Sequence, residues 1–179
     1  MNWIKSVKNS RKYFKLLLST LSLLPFSVGT GCSRPPENGA RPLFIQLKTP
    51  KYRLSDTGFL KIEPTQKVLT ISTGLASYRF ILKKGAICAV EKGKKKCIPR
   101  EEFFKKVGLE EYPPDTLDQI LIGEPLPFLP TPISTPDPGF VQKSGTQFYK
   151  VTPTKIVFKD RKKGIILILR FQSPQIPSP

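Results

Sequence analysis

The sequence predicts a mainly β fold in which two short helices form a lid over a sheet. Most of the chain consists of short extended segments rich in β-branched and aromatic residues, separated by turn signals. Helical spacing of apolar residues is confined to the region between residues 99 and 123. With 179 residues, including 12 Phe and 5 Tyr, the chain is long and apolar enough for one ordinary domain with a packed core.

Residues 1–31 have the features of a bacterial lipoprotein signal peptide. Five basic residues and no acidic ones precede an apolar stretch at residues 16–28, which is shorter than the roughly 20 residues a membrane span needs. The small residues Gly29, Thr30 and Gly31 come directly before Cys32. We therefore expect cleavage before Cys32 and its lipidation. An ordinary cleaved signal and an uncleaved anchor are the alternatives, and all three place the domain outside the cytoplasm.

The domain is expected to span residues 43–172, between two irregular segments. Residues 32–42 contain three Pro and no apolar periodicity, which is typical of a flexible tether to a lipid anchor. Residues 173–179 contain three Pro and are predicted to be a disordered tail.

Six strands are predicted in the first half of the domain, with a turn at residues 56–58 and a break at Gly74. In the fourth strand Tyr78, Phe80 and Leu82 alternate with basic residues. The apolar face of this strand is either part of the core or a surface that contacts acyl chains. The predicted strands cover residues 43–48, 59–63, 67–73, 77–83, 86–91 and 94–98.

The last two of these strands form a hairpin that carries two cysteines. A two-residue turn at Lys92-Gly93 places Cys88 opposite Cys97. Cys88 and Cys97 form a non-hydrogen-bonded pair, the kind of antiparallel pair in which opposite side chains lie closest to each other. Export to an oxidising compartment is compatible with a bond, and we predict a Cys88–Cys97 disulfide.

Two short helices follow the hairpin. The first begins at Pro99, has Glu101 and Glu102 in its first turn and Lys105 and Lys106 in its last, and ends at Gly108. The second is expected to begin at an N-cap, Asp115, and to end at Gly123. Neither helix is long enough to be stable alone, so both must dock on the sheet through their apolar side chains.

Residues 124–139 contain six Pro and are predicted to form an irregular loop. Its apolar residues Leu126, Phe128 and Leu129 suggest two alternatives: a loop packed on its own domain, or an apolar loop that contacts a membrane. Strands at residues 146–151, 155–159 and 165–171 end the domain. The last strand is apolar on both faces, which predicts cover on both.

Composition and motifs exclude several functions. The chain has no His, which removes the commonest general base and metal ligand and every Ser-His or Cys-His pair. Two-His two-Cys and four-Cys metal sites are excluded by ligand count, and no phosphate-binding loop, dinucleotide or hydrolase motif is present. We expect no enzyme, no cofactor and no metal site. The formal net charge of +17, behind an export signal, favours an anionic membrane surface or an acidic protein over nucleic acid.

Residues 85–127 have an order of features that is similar to one protein family. A Gly-led strand (GAICAV) is followed by a Lys-Gly turn, a return strand, a helix with paired acids and aromatics, a Pro-containing link and a second helix (LDQILIG). This order resembles the central part of the LolB family, the lipid-anchored outer-membrane receptors of bacterial lipoprotein localisation. Residues 78–82, 152–158 and 165–171 resemble other strands of that family, and the likeness covers residues 56–172 discontinuously.

The resemblance implies a fold and a function. The fold would be an incomplete antiparallel β-barrel, or curved sheet, with helices capping an apolar cavity on its concave side. The protein would be a monomer in the outer membrane, facing the periplasm. It would receive lipoprotein acyl chains from a soluble carrier of the LolA type and pass them to the membrane. The candidate cavity residues are Phe80, Leu82, Phe103, Phe104, Val107, Leu117, Ile120, Leu121, Leu167 and Leu169.

Two features differ from the family. The strands before Tyr78 are fewer and shorter, and the polar sequence Lys83-Lys84-Gly85 stands where the family has an apolar membrane-directed loop. The Pro-rich loop is an insertion that is able to supply an apolar tip instead. The alternative function is a structural or interaction lipoprotein that supports assembly of an envelope machine without lipid cargo.

Overall fold

One antiparallel sheet of eleven strands, with two short helices on one face, forms the domain. The computed structural model describes residues 39–73 and 76–172. The signal peptide, Cys32, most of the tether, Gly74 and the predicted tail lie outside the described residues. The strands are β1 Ala40–Lys48, β2 Arg53–Glu63, β3 Gln66–Thr73, β4 Ala76–Lys83, β5 Ala86–Glu91, β6 Lys94–Pro99, β7 Ile133–Ser134, β8 Phe140–Ser144, β9 Gln147–Thr152, β10 Lys155–Asp160 and β11 Ile165–Phe171.

The strand order joins the two ends of the domain. It runs β6-β5-β4-β3-β2-β1-β11-β10-β9-β8-β7, so that the first strand pairs with the last and all other neighbours are consecutive. Ile45 of β1 lies opposite Leu169 of β11. Strands β6 and β7 are the two edges, and the sheet is therefore not closed.

The turn predicted at residues 56–58 is wrong. Strand β2 passes through these residues without a break, and Gly58 pairs with Leu43 on one side and Ile71 on the other. A Cβ at position 58 would lie 2.0 Å from the carbonyl oxygen of Thr70, so the glycine allows a close approach of two strands. The turn before β2 lies at residues 49–52 instead.

Other boundaries differ less from expectation. Strand β1 begins at Ala40, so the last three residues assigned to the tether belong to the sheet. Strand β8 and the two-residue β7 were not predicted, since β7 lies within the Pro-rich segment. The strands expected near residues 67–73, 77–83, 86–91, 94–98, 146–151, 155–159 and 165–171 are confirmed to within one residue.

The two helices lie where the apolar spacing placed them. Helix α1 spans Arg100–Val107 and α2 spans Thr116–Ile122, and each ends at a glycine with a left-handed backbone, Gly108 and Gly123. The predicted cap at Asp115 is wrong in its detail, because the Asp115 carboxylate makes no capping bond. It accepts a hydrogen bond from the side chain of Gln119 instead, at 3.2 Å.

The sheet has two unlike faces. Paired residues share a face, so the registers assign every strand residue to a side. The inner face, which we define as the side covered by the helices, carries the buried core residues such as Leu43, Leu60 and Phe158. The outer face is the opposite side, and most of its apolar and basic side chains are half-buried or exposed. Of the two covers predicted for β11, the described residues supply only the one on the inner face.

Candidate apolar cavity beneath the helices

A cavity of about 80 Å³ lies between the helices and the inner face of the sheet. Strands β1 to β5, β11, both helices and the two nearby turns contribute its walls. Its lining is apolar except for Tyr52, whose pKa is raised by burial and, less, by Tyr78 and Asp56. That hydroxyl stays neutral at physiological pH, so no charged side chain lines the cavity.

Seven of the ten candidate cavity residues line this space. They are Phe80, Leu82, Phe103, Val107, Leu117, Leu121 and Leu167. Phe104 and Ile120 face a smaller void of about 10 Å³ between the helices and strands β10 and β11, which Leu117 and Leu167 also border. Leu169 is fully buried and lines neither space; it lies in the core opposite Ile45 of β1 and Ile156 of β10. Leu169 therefore belongs to the core and not to the cavity lining for which it was a candidate.

Eight further residues line the cavity. Most of these additions come from strands whose alternating apolar residues gave a signal that was available in the sequence. Tyr52 and Leu109 lie in turns, and no periodicity marked them. The eight residues are Ile45, Leu47, Tyr52, Leu54, Leu69, Ile71, Ile87 and Leu109.

The cavity is small for a lipid. An apolar cavity of about 150 Å³ holds one benzene molecule, and drug-sized ligands occupy sites of about 300–1,000 Å³. The observed 80 Å³ therefore holds a fragment of an acyl chain. A whole chain would enter only if the helices moved away from the sheet.

Polar contacts hold the start of both helices. The buried guanidinium of Arg100 donates to the carbonyl oxygens of Lys83 and Pro114, each at 2.8 Å, and forms an ion pair with Asp118 of α2. Lys67 of β3 contacts the same carboxylate at 3.0 Å. One cluster thus ties α1, the link between the helices and α2 to the sheet.

A second set of contacts holds the end of α1. The buried hydroxyl of Thr49 donates to the carbonyl oxygen of Val107 at 2.5 Å and accepts from the amide of Tyr52 at 2.9 Å. Lys51 donates to the carbonyl oxygen of Lys105 at 2.9 Å and to Glu110 at 2.7 Å. The turn between β1 and β2 therefore fixes the end of the helix beside the cavity.

A buried polar cluster lies under the link between the helices. The hydroxyl of Tyr112 donates to Asp160 at 2.7 Å, and Thr146 and Gln147 donate to the same carboxylate. Burial acts to raise the pKa of Asp160, but these bonds and the amide of Lys163 outweigh it and lower the pKa. Burial and the bond to Asp160 raise the pKa of Tyr112. The charged carboxylate of Asp160 thus accepts from the neutral hydroxyl of Tyr112, and this bond holds the link between the helices to the sheet.

The Pro-rich loop packs on its own domain. Leu126 and Leu129 are buried and Phe128 is half-buried, with its ring 5.8 Å from that of Tyr112. The buried amide of Gln142 accepts from the Leu126 amide at 2.9 Å and donates to the carbonyl oxygens of Leu126 and Pro130. The candidate membrane-contact residues Leu126 and Leu129 are thus withdrawn from the surface, contrary to the alternative of an exposed tip.

The predicted disulfide between Cys88 and Cys97 is confirmed. It joins β5 to β6, and Cys88 lies opposite Cys97 in the register expected for the hairpin. Because β6 is an edge strand and leads directly into α1, the bond fixes the strand from which the first helix begins.

The described residues show neither a metal site nor a membrane-spanning helix. Among residues 39–73 and 76–172, no group of three His, Cys, Asp or Glu side chains is placed to hold a metal ion. Within the same ranges, no helix has the length and hydropathy required to cross a membrane. No protein-family model matches the chain, and no curated protein matches its sequence.

Proposed function

We propose that the protein is a membrane-anchored receptor that binds the acyl chains of lipoproteins beneath its two helices and helps insert them into the outer membrane. In this proposal the chain is lipidated at Cys32, faces the periplasm as a monomer, and receives its cargo from a carrier of the LolA type. The proposal involves no catalysis.

The observation that carries the proposal is an apolar cavity between the two short helices and the broad sheet. Each buried CH₂ group contributes about 0.8 kcal/mol, so an acyl chain that crosses water needs an apolar shelter. The lining includes aromatic side chains from both layers, Phe80 of β4 and Phe103 of α1. An uncharged lining of this kind suits hydrocarbon rather than a polar ligand.

Opening of the lid is part of the proposal, because the cavity holds only a fragment of a chain. Helices of eight and seven residues contribute little stability by themselves. The Arg100 cluster holds the start of both helices and Thr49 holds the end of α1. Side chains of both helices between and beside these contacts face the cavity. A chain that replaces the helix side chains against the sheet would keep the inner face out of water.

The small volume favours a second candidate, a structural or interaction lipoprotein of the cell envelope without lipid cargo. In that case the helices are a fixed layer of the core and the cavity is a packing defect. The two candidates differ in whether cavity residues govern binding of an acyl chain.

A pair of substitutions in α2 separates the candidates. Leu117 and Ile122 are both half-buried, but only Leu117 lines the cavity. We expect the full-length protein to bind a dansylated fatty acid, Leu117→Gln to weaken binding about tenfold, and Ile122→Gln to leave it unchanged, since burying an unpaired amide costs about 1–3 kcal/mol.

The contradicting results are specific. An absence of saturable binding to the wild-type protein, or equal losses in both variants, supports the interaction lipoprotein instead. Thermal melting of each variant checks that the loss of binding is not a loss of folding.

A further inference from the structure

The outer face of strands β1 and β8–β11, which we call the basic face, carries an unusual charge pattern. Six basic side chains point outward from these five strands, as their registers require. They are Lys48, Lys143, Lys150, Lys155, Lys159 and Arg170. The single acidic residue in the five strands is Asp160, which is buried on the inner face and bonded to Tyr112.

The registers place basic and apolar side chains side by side on this face. One row across the strands reads Lys48, Ile166, Lys159, Phe148, Lys143. Two of the cations lie over aromatic rings of the same face: Arg170 is 5.9 Å from the ring centre of Phe44, and Lys143 is 5.6 Å from that of Phe148. None of the six forms an ion pair with another of the described residues.

Within residues 39–73 and 76–172, neither the helices nor the Pro-rich loop covers the basic face. Both helices line cavities on the inner face, and the Pro-rich loop is bonded to Gln142, which also points inward. At the rim of the basic face lies Ile133 of β7, which is 71% exposed and pairs with Val141. The apolar side of β11 that faces outward is thus left to contact solvent or a partner.

The chemistry of the face favours lipid headgroups over a protein. Interfaces between proteins are depleted in Lys and have an apolar, fully desolvated centre. Here basic side chains are spread over all five strands, and apolar side chains between them, such as Phe148 and Ile166, are half-buried rather than protruding. A diffuse array of cations with a thin apolar component fits a surface of mobile anionic headgroups.

The attachment of the chain also favours a bilayer. Cys32, where the proposed function places the lipid anchor, precedes Ala40 by eight residues, which reach at most about 28 Å when extended. Strand β1, which belongs to the basic face, begins at Ala40. The face therefore lies at the anchored end of the chain and within reach of the membrane.

We propose that the basic face of β1 and β8–β11 is a docking surface for an anionic phospholipid bilayer. In the docked domain the helices and the cavity lie on the side that faces away from the headgroups. A soluble carrier has access to that side. This inference rests on the membrane anchoring of the proposed function but not on its acyl-chain binding.

The test is lysine footprinting of the full-length protein in vesicles, read by mass spectrometry of the acetylated peptides. One vesicle preparation contains phosphatidylcholine alone, and in the other about one third of the lipid is phosphatidylglycerol. We expect acetylation of Lys143, Lys150 and Lys155 to slow about threefold or more on the anionic vesicles only. Lys105, which is exposed on α1, is the internal control and keeps its rate.

Several outcomes decide the proposal. About 1 M NaCl shortens the Debye length to about 3 Å and should restore the labelling rates. Equal rates in the two preparations, or slower labelling of Lys105 than of the basic face, would overturn the proposal. Protection in native envelope membranes but not on anionic vesicles would identify an acidic protein as the partner and would also overturn it. A loss of fatty-acid binding in the previous experiment leaves this result unaffected, so the two proposals fail separately.

Discussion

Arg100 at the start of α1 forms an ion pair with Asp118 in the first turn of α2, and both side chains are largely buried, with exposed fractions of 8% and 14%. Through this pair the two helices are fixed to each other and, by Lys67 and the carbonyl oxygen of Lys83, to the sheet. The lid over the cavity thus depends on one charged cluster at one end and on Thr49 at the other.

Replacement of Arg100 is expected to destabilise the domain strongly. Arg100→Met leaves the Asp118 carboxylate buried with Lys67 alone, which should lower the free energy of unfolding by about 3 kcal/mol. Urea denaturation followed by fluorescence measures the change. The control is Lys106→Met, which removes an exposed pair with Glu102 on the same helix and should cost less than about 0.5 kcal/mol. Similar costs for both variants would show that the cluster does not hold the lid.

Gly58 is expected to tolerate no side chain. A Cβ at this position would meet the Thr70 carbonyl oxygen at 2.0 Å, so Gly58→Ala must push two central strands apart. We expect a loss of about 2 kcal/mol or more in thermal or urea unfolding. Ser55→Ala, at an exposed position of the same strand, should change stability by less than about 0.5 kcal/mol. A neutral Gly58→Ala would instead fit a turn at residues 56–58.

Asp160 is expected to stabilise the domain in a pH-dependent way. Its pKa is lowered in the folded state, so its contribution is present above the ordinary Asp pKa of about 3.9 and is lost as the pH falls through the folded-state value. At pH 7 the Asp160→Asn variant should be less stable than the wild type by about 2 kcal/mol. The difference should shrink in acid. Urea titrations at several pH values measure it, with Asp137→Asn in the exposed loop as control. A stability difference between the two proteins that grows as the pH falls would contradict the lowered pKa of Asp160.

Cys32 is expected to be the sole site of lipidation. Metabolic labelling of cells with radioactive palmitate should label the wild-type protein and should fail for Cys32→Ala. The double variant Cys88→Ala, Cys97→Ala removes the disulfide pair and should remain labelled, although less protein will accumulate. Persistent labelling of Cys32→Ala would exclude the lipoprotein assignment and leave a cleaved signal or an uncleaved anchor.

Local patterns in the sequence predicted much of the secondary structure. Alternation placed most strands, glycines placed the ends of both helices, and the two-residue turn at Lys92-Gly93 fixed the register that joins Cys88 to Cys97. These features depend on neighbours within about ten residues. The turn expected at Asp56-Thr57-Gly58 failed because the three residue types are common in turns, whereas the glycine here serves a contact between strands.

Long-range contacts account for what could not be predicted. No local pattern distinguishes Arg100 from the other basic residues, because its partners Lys83, Pro114 and Asp118 are brought to it only by the packing of both helices. The same holds for Tyr112 and Asp160, which are 48 residues apart. Leu169 shares the apolar pattern of Leu167, yet only Leu167 reaches the cavity. The pattern predicted which face a residue occupies but not its depth beneath the helices.

Acyl transfer from a carrier tests the central claim most directly. A radiolabelled lipoprotein bound to a carrier of the LolA type is mixed with vesicles that contain the full-length protein, and label in the sedimented vesicles is counted. The account predicts rapid transfer to wild-type vesicles, about tenfold slower transfer with Leu117→Gln, and an unchanged rate with Ile122→Gln. Uptake by protein-free vesicles equal to that of wild-type vesicles would contradict the account.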